Sequence, residues 1–308
     1  MKKLKVAVIG VGYLGRFHAQ KYASMENVDL VGVVDTDRAR AEEIAREVDT
    51  VPYDSIEPIK GLMEAASIAV PTSRHADVAI PLLKAGVAVL LEKPVAGRLD
   101  EAHAIIEASE KGRAILQIGH LERFNPALLE LSGSIRNPMF IEAHRISPFR
   151  ARGTDVDAVL DIMIHDLDII LSLVNSRVAS LEAVGVPVLT DSVDIANARL
   201  RFESGCIANI TASRVSAEVM RKIRIFQPDS YISLDFAKAK VDVYTLSEAR
   251  EIRHKHIAIS ESDALASEIR SFVDAALTGS PVVVDGSAGL KALEMAYAIK
   301  QSLIVPGR

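Results

Sequence analysis

The sequence predicts an α/β chain in two parts, a doubly wound parallel sheet followed by an α+β part built on a large open mixed or antiparallel sheet. Three observations predict this. From residue 4 to about 118, short apolar runs alternate with stretches of helical period. After Arg136 that alternation stops, and strand-like runs follow one another from about 178 to 258. At 308 residues the chain also exceeds what a single core comfortably organises.

In order, Leu4–Ile9, Val28–Val34, Ser67–Val70, Ala88–Leu91 and Ala114–Ile118 read as strands. The segments near 13–24, 37–48, 73–85 and 98–111 carry apolar residues at i, i+3 and i+4 and read as helices. A Pro/Arg-rich stretch then runs to Gly153, followed by one apolar helix near 158–174. Ala196–Phe202 and Ile207–Thr211 flank a Ser204-Gly205 turn, and Ile232–Asp235 is a further strand. Two helices close the chain, Ser262–Leu277 and Ser287–Leu303, parted by Thr278-Gly279-Ser280-Pro281. The expected domains are 1–120 and 121–308, with the last helix, about 287–304, in a position to pack back on the first.

Composition removes several classes of function. A formal charge of −5 provides no global attraction to nucleic acid or anionic lipid, so any anion must be met locally. The single cysteine, Cys206, excludes an internal disulfide and a cysteine metal cluster. The apolar run from Val6 is cut by Gly10, Gly12 and Gly15, too early for a signal peptide, and no apolar stretch reaches a spanning length of about 18 residues. The expected setting is the cytoplasm.

Gly10-Val11-Gly12-Tyr13-Leu14-Gly15 directly follows the first strand and opens the first helix. There the glycines of a GxGxxG fingerprint serve a tight turn, a close pyrophosphate and close helix packing. The alternative is a glycine-rich turn with no ligand. Asp35, about 20 residues further on at the end of the next strand, fits the acid that accepts ribose hydroxyls, with Thr36 and Arg38 beside it. An acid there repels the extra phosphate of NADP and favours NAD, while Arg38 keeps NADP open. Further candidates for cofactor contact are Pro71, Thr72 and His75 after one strand, and Glu92 and Lys93 after the next. Lys93 ends a buried apolar run and precedes Pro94, which fixes the turn that aims it; an ion pair with a neighbouring acid is its structural alternative.

The second candidate site lies on the 158–174 helix. From Asp155 to Ser176 there is no Lys, Arg or Glu, and the surface is mostly apolar. Asp161, His165, Asp168 and Ser172 form one stripe, with Asp166 to the side. Asp161, a turn away from His165, would fix its tautomer and raise its basicity. His165 would then take a proton from an alcohol while Lys93 stabilises the alkoxide. An exposed stripe, or a metal held by Asp161, His165 and either His120 or His144, are the rivals; hydride transfer requires no metal, and none is expected.

Gly10–Gly15, Val70–His75, Glu92-Lys93-Pro94, Arg123-Phe124-Asn125-Pro126 and Asp161-x-x-x-His165-Asp166 resemble the Gfo/Idh/MocA oxidoreductases over nearly the whole chain. The resemblance implies a Rossmann domain, a second domain whose open sheet serves oligomerisation as a homodimer or homotetramer, and NAD(P)-dependent oxidation of sugar-like secondary alcohols. By position it makes Lys93 the catalytic lysine and Asp161 and His165 the acid–base pair. It also implies a bond before Pro94 that is often cis. The stretches 119–126 and 150–157 resemble the members that act on nucleotide-sugars. The expected reaction is oxidation of UDP-N-acetylglucosamine at C3, feeding synthesis of 3-amino sugars for lipid A or other glycans. The resemblance makes His120, Arg123 and Asn125 expected substrate contacts, and Arg145, Arg150 and Arg152 join them because guanidinium groups bind diphosphate bidentately. A charge-protected strand edge is the alternative for the arginines. The functional rivals are an inositol-like sugar dehydrogenase, a non-catalytic NAD(H)-binding regulator, and transient oxidation with hydride return.

Overall fold

The computed structural model describes residues 3–131, 133–149, 157–247, 249–259 and 263–305. In chain order its elements begin with β1 Leu4–Ile9, α1 Tyr13–Ala23, β2 Val28–Val34, α2 Arg38–Glu47, β3 Pro52–Tyr53 and β4 Ala65–Ile68. They continue with α3 His75–Lys84, β5 Ala88–Glu92, α4 Leu99–Gly112, β6 Leu116–Gly119, α5 Pro126–Leu129 and β7 Phe140–Ile146. A π turn over Val159–Met163 leads into α6 Ile164–Leu173. Then come β8 Val178–Val186, β9 Ile195–Phe202, β10 Ile207–Ser213, β11 Met220–Phe226, β12 Ser230–Asp235, β13 Lys240–Leu246 and β14 Ile252–Ala258. The chain closes with α7 Ala264–Thr278, α8 Gly286–Gln301 and β15 Leu303–Ile304.

Two compact units form, Met1–Phe124 with Asp263–Leu290, and Asn125–Ser262 with Lys291–Arg308. The first ends four residues beyond the boundary expected near 120. It also takes back α7, which the sequence assigned to the second domain. The reason is apolar. Ile269, Phe272 and Val273, at i, i+3 and i+4, are all 0% exposed and join Leu4, Val8, Tyr22 and Leu90 in one core. Burying Phe272 alone contributes about 1.5–3 kcal/mol. Asp263 caps this helix by accepting the Ala266 N–H at 3.0 Å, and Gly279 ends it at φ 75°.

The first unit's six strands run in the order β3-β2-β1-β4-β5-β6, with every pair parallel. The order reverses between β1 and β4, and ligands of such sheets bind in the crevice beyond that point. The two-residue edge strand β3 was not anticipated, since two residues carry no period.

The second unit holds nine strands in the order β14-β13-β12-β11-β7-β10-β9-β8-β15. Its pairs are antiparallel except β7 with β10 and β8 with β15, which makes the sheet mixed. Along β9 the residues alternate between buried and exposed, so one face is packed and the other open. On one face Phe140, Phe226, Tyr231, Tyr244 and His254 stack across five neighbouring strands, with ring centroids 4.4–5.6 Å apart. The central strand β7 falls inside the stretch read from the sequence as Pro/Arg-rich.

Candidate active site

The turn after β1 has the shape its glycines predict. Gly10 has φ 83°, and a Cβ there would meet the Ala69 carbonyl carbon at 2.8 Å. At Gly15 a Cβ would meet Gly10 O at 1.8 Å, so only glycine lets α1 sit on the turn. Gly12 opens on free space, as a close pyrophosphate requires, and stands at the N-cap of α1 with no side-chain cap. Tyr13 and Leu14 are exposed on the first turn of α1. The turn therefore fits a dinucleotide.

Asp35, 8% exposed, braces this turn. Its Oδ2 accepts the Val11 N–H at 3.0 Å and its Oδ1 accepts the Asp37 N–H at 2.9 Å. Arg38, the residue that kept NADP open, is exposed and paired with Glu42 at 2.9 Å, which raises its guanidinium pKa. The arginine at Asp35 is Arg40 instead, 3.5 Å from Asp35 Oδ2 and 3.2 Å from Asp37. Sequence reading missed it, because Asp35 lies in the turn before α2 and no helical or strand period relates it to Arg40.

Beyond β4 and β5 the predicted residues divide. Lys93 is partly buried, and the Lys93-Pro94 bond is cis. Pro71 is exposed and Thr72 partly buried. His75, expected to touch the cofactor, is instead an internal clamp. It is 1% exposed, and its ring nitrogens lie 2.9 Å from Pro94 O and 3.1 Å from Val70 O. Burial holds its pKa below the ordinary histidine value, against the pull of those carbonyls.

His120 follows β6 and is 1% exposed. Neither ring nitrogen has a hydrogen-bond partner among the described residues. Burial, followed by the charges of Lys93 and Arg123, pushes its pKa down to about 3, so the ring is neutral at physiological pH. Lys93, His120 and Arg123 thus belong to one electrostatic neighbourhood of the first unit. Asn125 lies in the second unit and caps α5, its Oδ1 accepting the Ala127 N–H at 3.0 Å.

In the second unit, the helix that carries Asp161 and His165 is not uniform. The Ile164 N–H reaches back to Val159 O, an i→i+5 bond, and Val159–Met163 form a π turn. The even stripe expected of Asp161, His165, Asp168 and Ser172 is therefore broken between its first two members. Such π turns recur at functional sites because they re-aim a side chain. Asp161 and His165 are partly buried, Asp168 is buried and Ser172 is exposed. Asp157 starts the helix, accepting the Val159 and Leu160 N–H groups at 3.1 Å each, and Lys300 lies 2.7 Å from its other oxygen.

Arg145, expected at a diphosphate, is 7% exposed and bound to Asp166. The alternation along β7 points Ile141, Ala143 and Arg145 inward, which turns this cation to the interior. His144 lies on the other face, and Arg150 and Arg152 lie outside the described residues.

A parallel sheet of this order with a glycine turn and a strand-end acid defines a dinucleotide-binding protein. Residues 4–120 match the model of the oxidoreductase family with an NAD-binding Rossmann fold, and 101–227 match the GFO/IDH/MocA C-terminal domain. The chain belongs to this Gfo/Idh/MocA family. It is 38% identical over 306 residues to a UDP-N-acetylglucosamine 3-dehydrogenase of Acidithiobacillus ferrooxidans, covering 97% of each. The solved structure of that relative matches with a TM-score of 0.93 over 98% of each chain. A myo-inositol 2-dehydrogenase of Thermotoga maritima is 26% identical over 324 residues, covering 97% of this chain and 96% of the relative. No helix among the described residues is long and apolar enough to cross a membrane.

Proposed function

We propose that this chain oxidises the C3 hydroxyl of UDP-N-acetylglucosamine with NAD. The observation that carries the reading is the end-to-end likeness to a 3-dehydrogenase of that nucleotide-sugar, 38% against 26% for the inositol enzyme. Gly10, Gly12 and the first turn of α1 would take the pyrophosphate, and Asp35 the ribose hydroxyls. Bound NAD supplies the hydride acceptor. Lys93, as an ammonium, stabilises negative charge developing on the substrate oxygen. His165 accepts the hydroxyl proton, and Asp161 sets its tautomer. Arg123 supplies a polar contact to the substrate, whereas His120, 1% exposed, is an interior group of this structure.

The product, a 3-keto nucleotide-sugar, is the substrate class that an aminotransferase converts to a 3-amino sugar. A cytoplasmic setting goes with this reading, and so does self-association through the open sheet. The test is NADH formation with UDP-N-acetylglucosamine, N-acetylglucosamine and myo-inositol in parallel, with and without UDP. Turnover of the nucleotide-sugar and inhibition by UDP alone support the reading. Turnover of myo-inositol alone replaces it with the inositol one.

A further inference from the structure

Three side chains from distant parts of the sequence meet inside the first unit: His18 on α1, Glu92 at the end of β5 and Glu268 on α7. One ring nitrogen and two carboxyl oxygens all lie within 4.8 Å of one another. His18 Nε2 is 3.0 Å from Glu92 Oε1, and its Nδ1 is 3.1 Å from Ser67 Oγ, which also lies 2.8 Å from the Tyr22 hydroxyl. Glu268 is 0% exposed, and neither of its carboxyl oxygens has a hydrogen-bond partner among the described residues. The sequence reading assigned no role to His18 or Glu268.

An ionised carboxylate at Glu268 would have no donor to replace its water and another carboxylate as its neighbour. The groups around it offer its carboxyl oxygens no hydrogen bond. They are His18 and Tyr22 from α1, Ser67 from β4, Glu92 from β5 and Gln117 from β6, whose Nε2 donates to the Glu268 backbone carbonyl at 3.2 Å. The turn 121–124, which packs on α7, carries Glu122 and Arg123. A protonated Glu268 removes the conflict.

We propose that Glu268 is a proton-holding positioning residue: standing as a neutral acid within 4.8 Å of Glu92, it spares the strand end that carries Lys93 the repulsion of a second carboxylate. His18 completes the arrangement. With the Tyr22 hydroxyl donating to Ser67, and Ser67 to Nδ1, the imidazole keeps its N–H on Nε2 for Glu92. Burial, followed by the charge of Glu92, raises the Glu268 carboxyl well above the ordinary glutamic acid range. If Glu268 ionised, two carboxylates would repel each other next to the residue preceding Lys93. A divalent cation is the competing occupant of a His–Glu–Glu cluster, yet both imidazole nitrogens are already taken up by Ser67 and Glu92. The inference rests on Lys93 acting on the substrate, as proposed above.

The full-length protein tests it with Glu268→Gln, which mimics the neutral acid. Infrared spectra of wild type at neutral pH should show a protonated carboxylic acid band that E268Q lacks. E268Q should keep kcat/KM within about threefold of wild type at neutral pH and keep activity at alkaline pH where wild type loses it. Absence of the acid band, a loss of about tenfold or more in E268Q at neutral pH, or stoichiometric divalent metal in wild type but not E268Q would each overturn it. Should E268Q fail to fold, isotope-edited spectra of wild type carrying labelled glutamate decide by the same band. Wild-type turnover in Lys93→Ala would remove the role of Lys93 and leave the band in place, so the two failures are distinguishable.

Discussion

Asp166 holds Arg145 in a buried bidentate pair, with Nε 3.2 Å from both carboxylate oxygens and Nη2 2.9 Å from Oδ1. The pair joins β7 to α6, the helix that carries His165. Arg145 also lies 5.8 Å from the Phe236 ring centre. Removing either partner leaves the other charge buried. Asp166→Asn and Arg145→Ala should therefore each cost about 3–5 kcal/mol, read by urea unfolding. Arg145→Lys should recover only part of that, because an ammonium cannot make the fork. A change below 1 kcal/mol, roughly the worth of a surface pair, would show that the contact is solvated.

Lys93 and His165 are both only partly buried, so their truncation should leave the fold standing. Lys93→Ala and His165→Ala are each expected to lower kcat by about 10²–10⁴-fold while the thermal midpoint changes little. Steady-state kinetics with the nucleotide-sugar and calorimetry on the same samples check this. Full turnover in either folded variant contradicts the proposed role.

Asp35 distinguishes the two nicotinamide cofactors. Asp35→Ala removes the expected acceptor of the ribose hydroxyls and the carboxylate that would repel a 2′-phosphate. The kcat/KM for NAD should fall by about tenfold or more, the value of one charged hydrogen bond. The NAD-to-NADP preference should shrink with it, helped by Arg40 beside the vacated position. Unchanged preference would place cofactor discrimination elsewhere.

His120 gives stability a pH dependence of defined sign. Its folded-state pKa is lowered to about 3, so below the ordinary histidine value the unfolded chain binds a proton that the native state refuses. Stability should therefore be full above about pH 6.5 and fall as pH drops toward 3, by up to a few kcal/mol. Burial of His75 acts in the same direction. His120→Gln should flatten the slope across that window in urea titrations at stepped pH. An identical slope in the variant would mean that the ring is protonated in the native state.

Much of the first unit is legible along the chain because its signals are local. β1 and β2 have the bounds their apolar runs predict, and Gly10, Gly12 and Gly15 stand where a strand turns into a helix. The second unit was harder to read. In β7, His144 and Arg145 against only Glu142 gave the segment a basic character, and only its pairing with β10 and β11 and the burial along it show that Arg145 faces inward. The π turn at Val159–Met163 is likewise invisible to a count of 3.6 residues per turn.

Sequence by itself determined the class of protein, through glycines required by backbone geometry, an acid at a strand end and a lysine before a proline. Those requirements act over a few residues, so spacing expresses them. Only the tertiary structure decided which polar groups are internal: Arg145 with Asp166, His75 between two carbonyls, and Glu268 beside Glu92 and His18. The physical reason is that the cost of burying a charge depends on partners brought together by folding across long stretches of chain, and no local pattern records them.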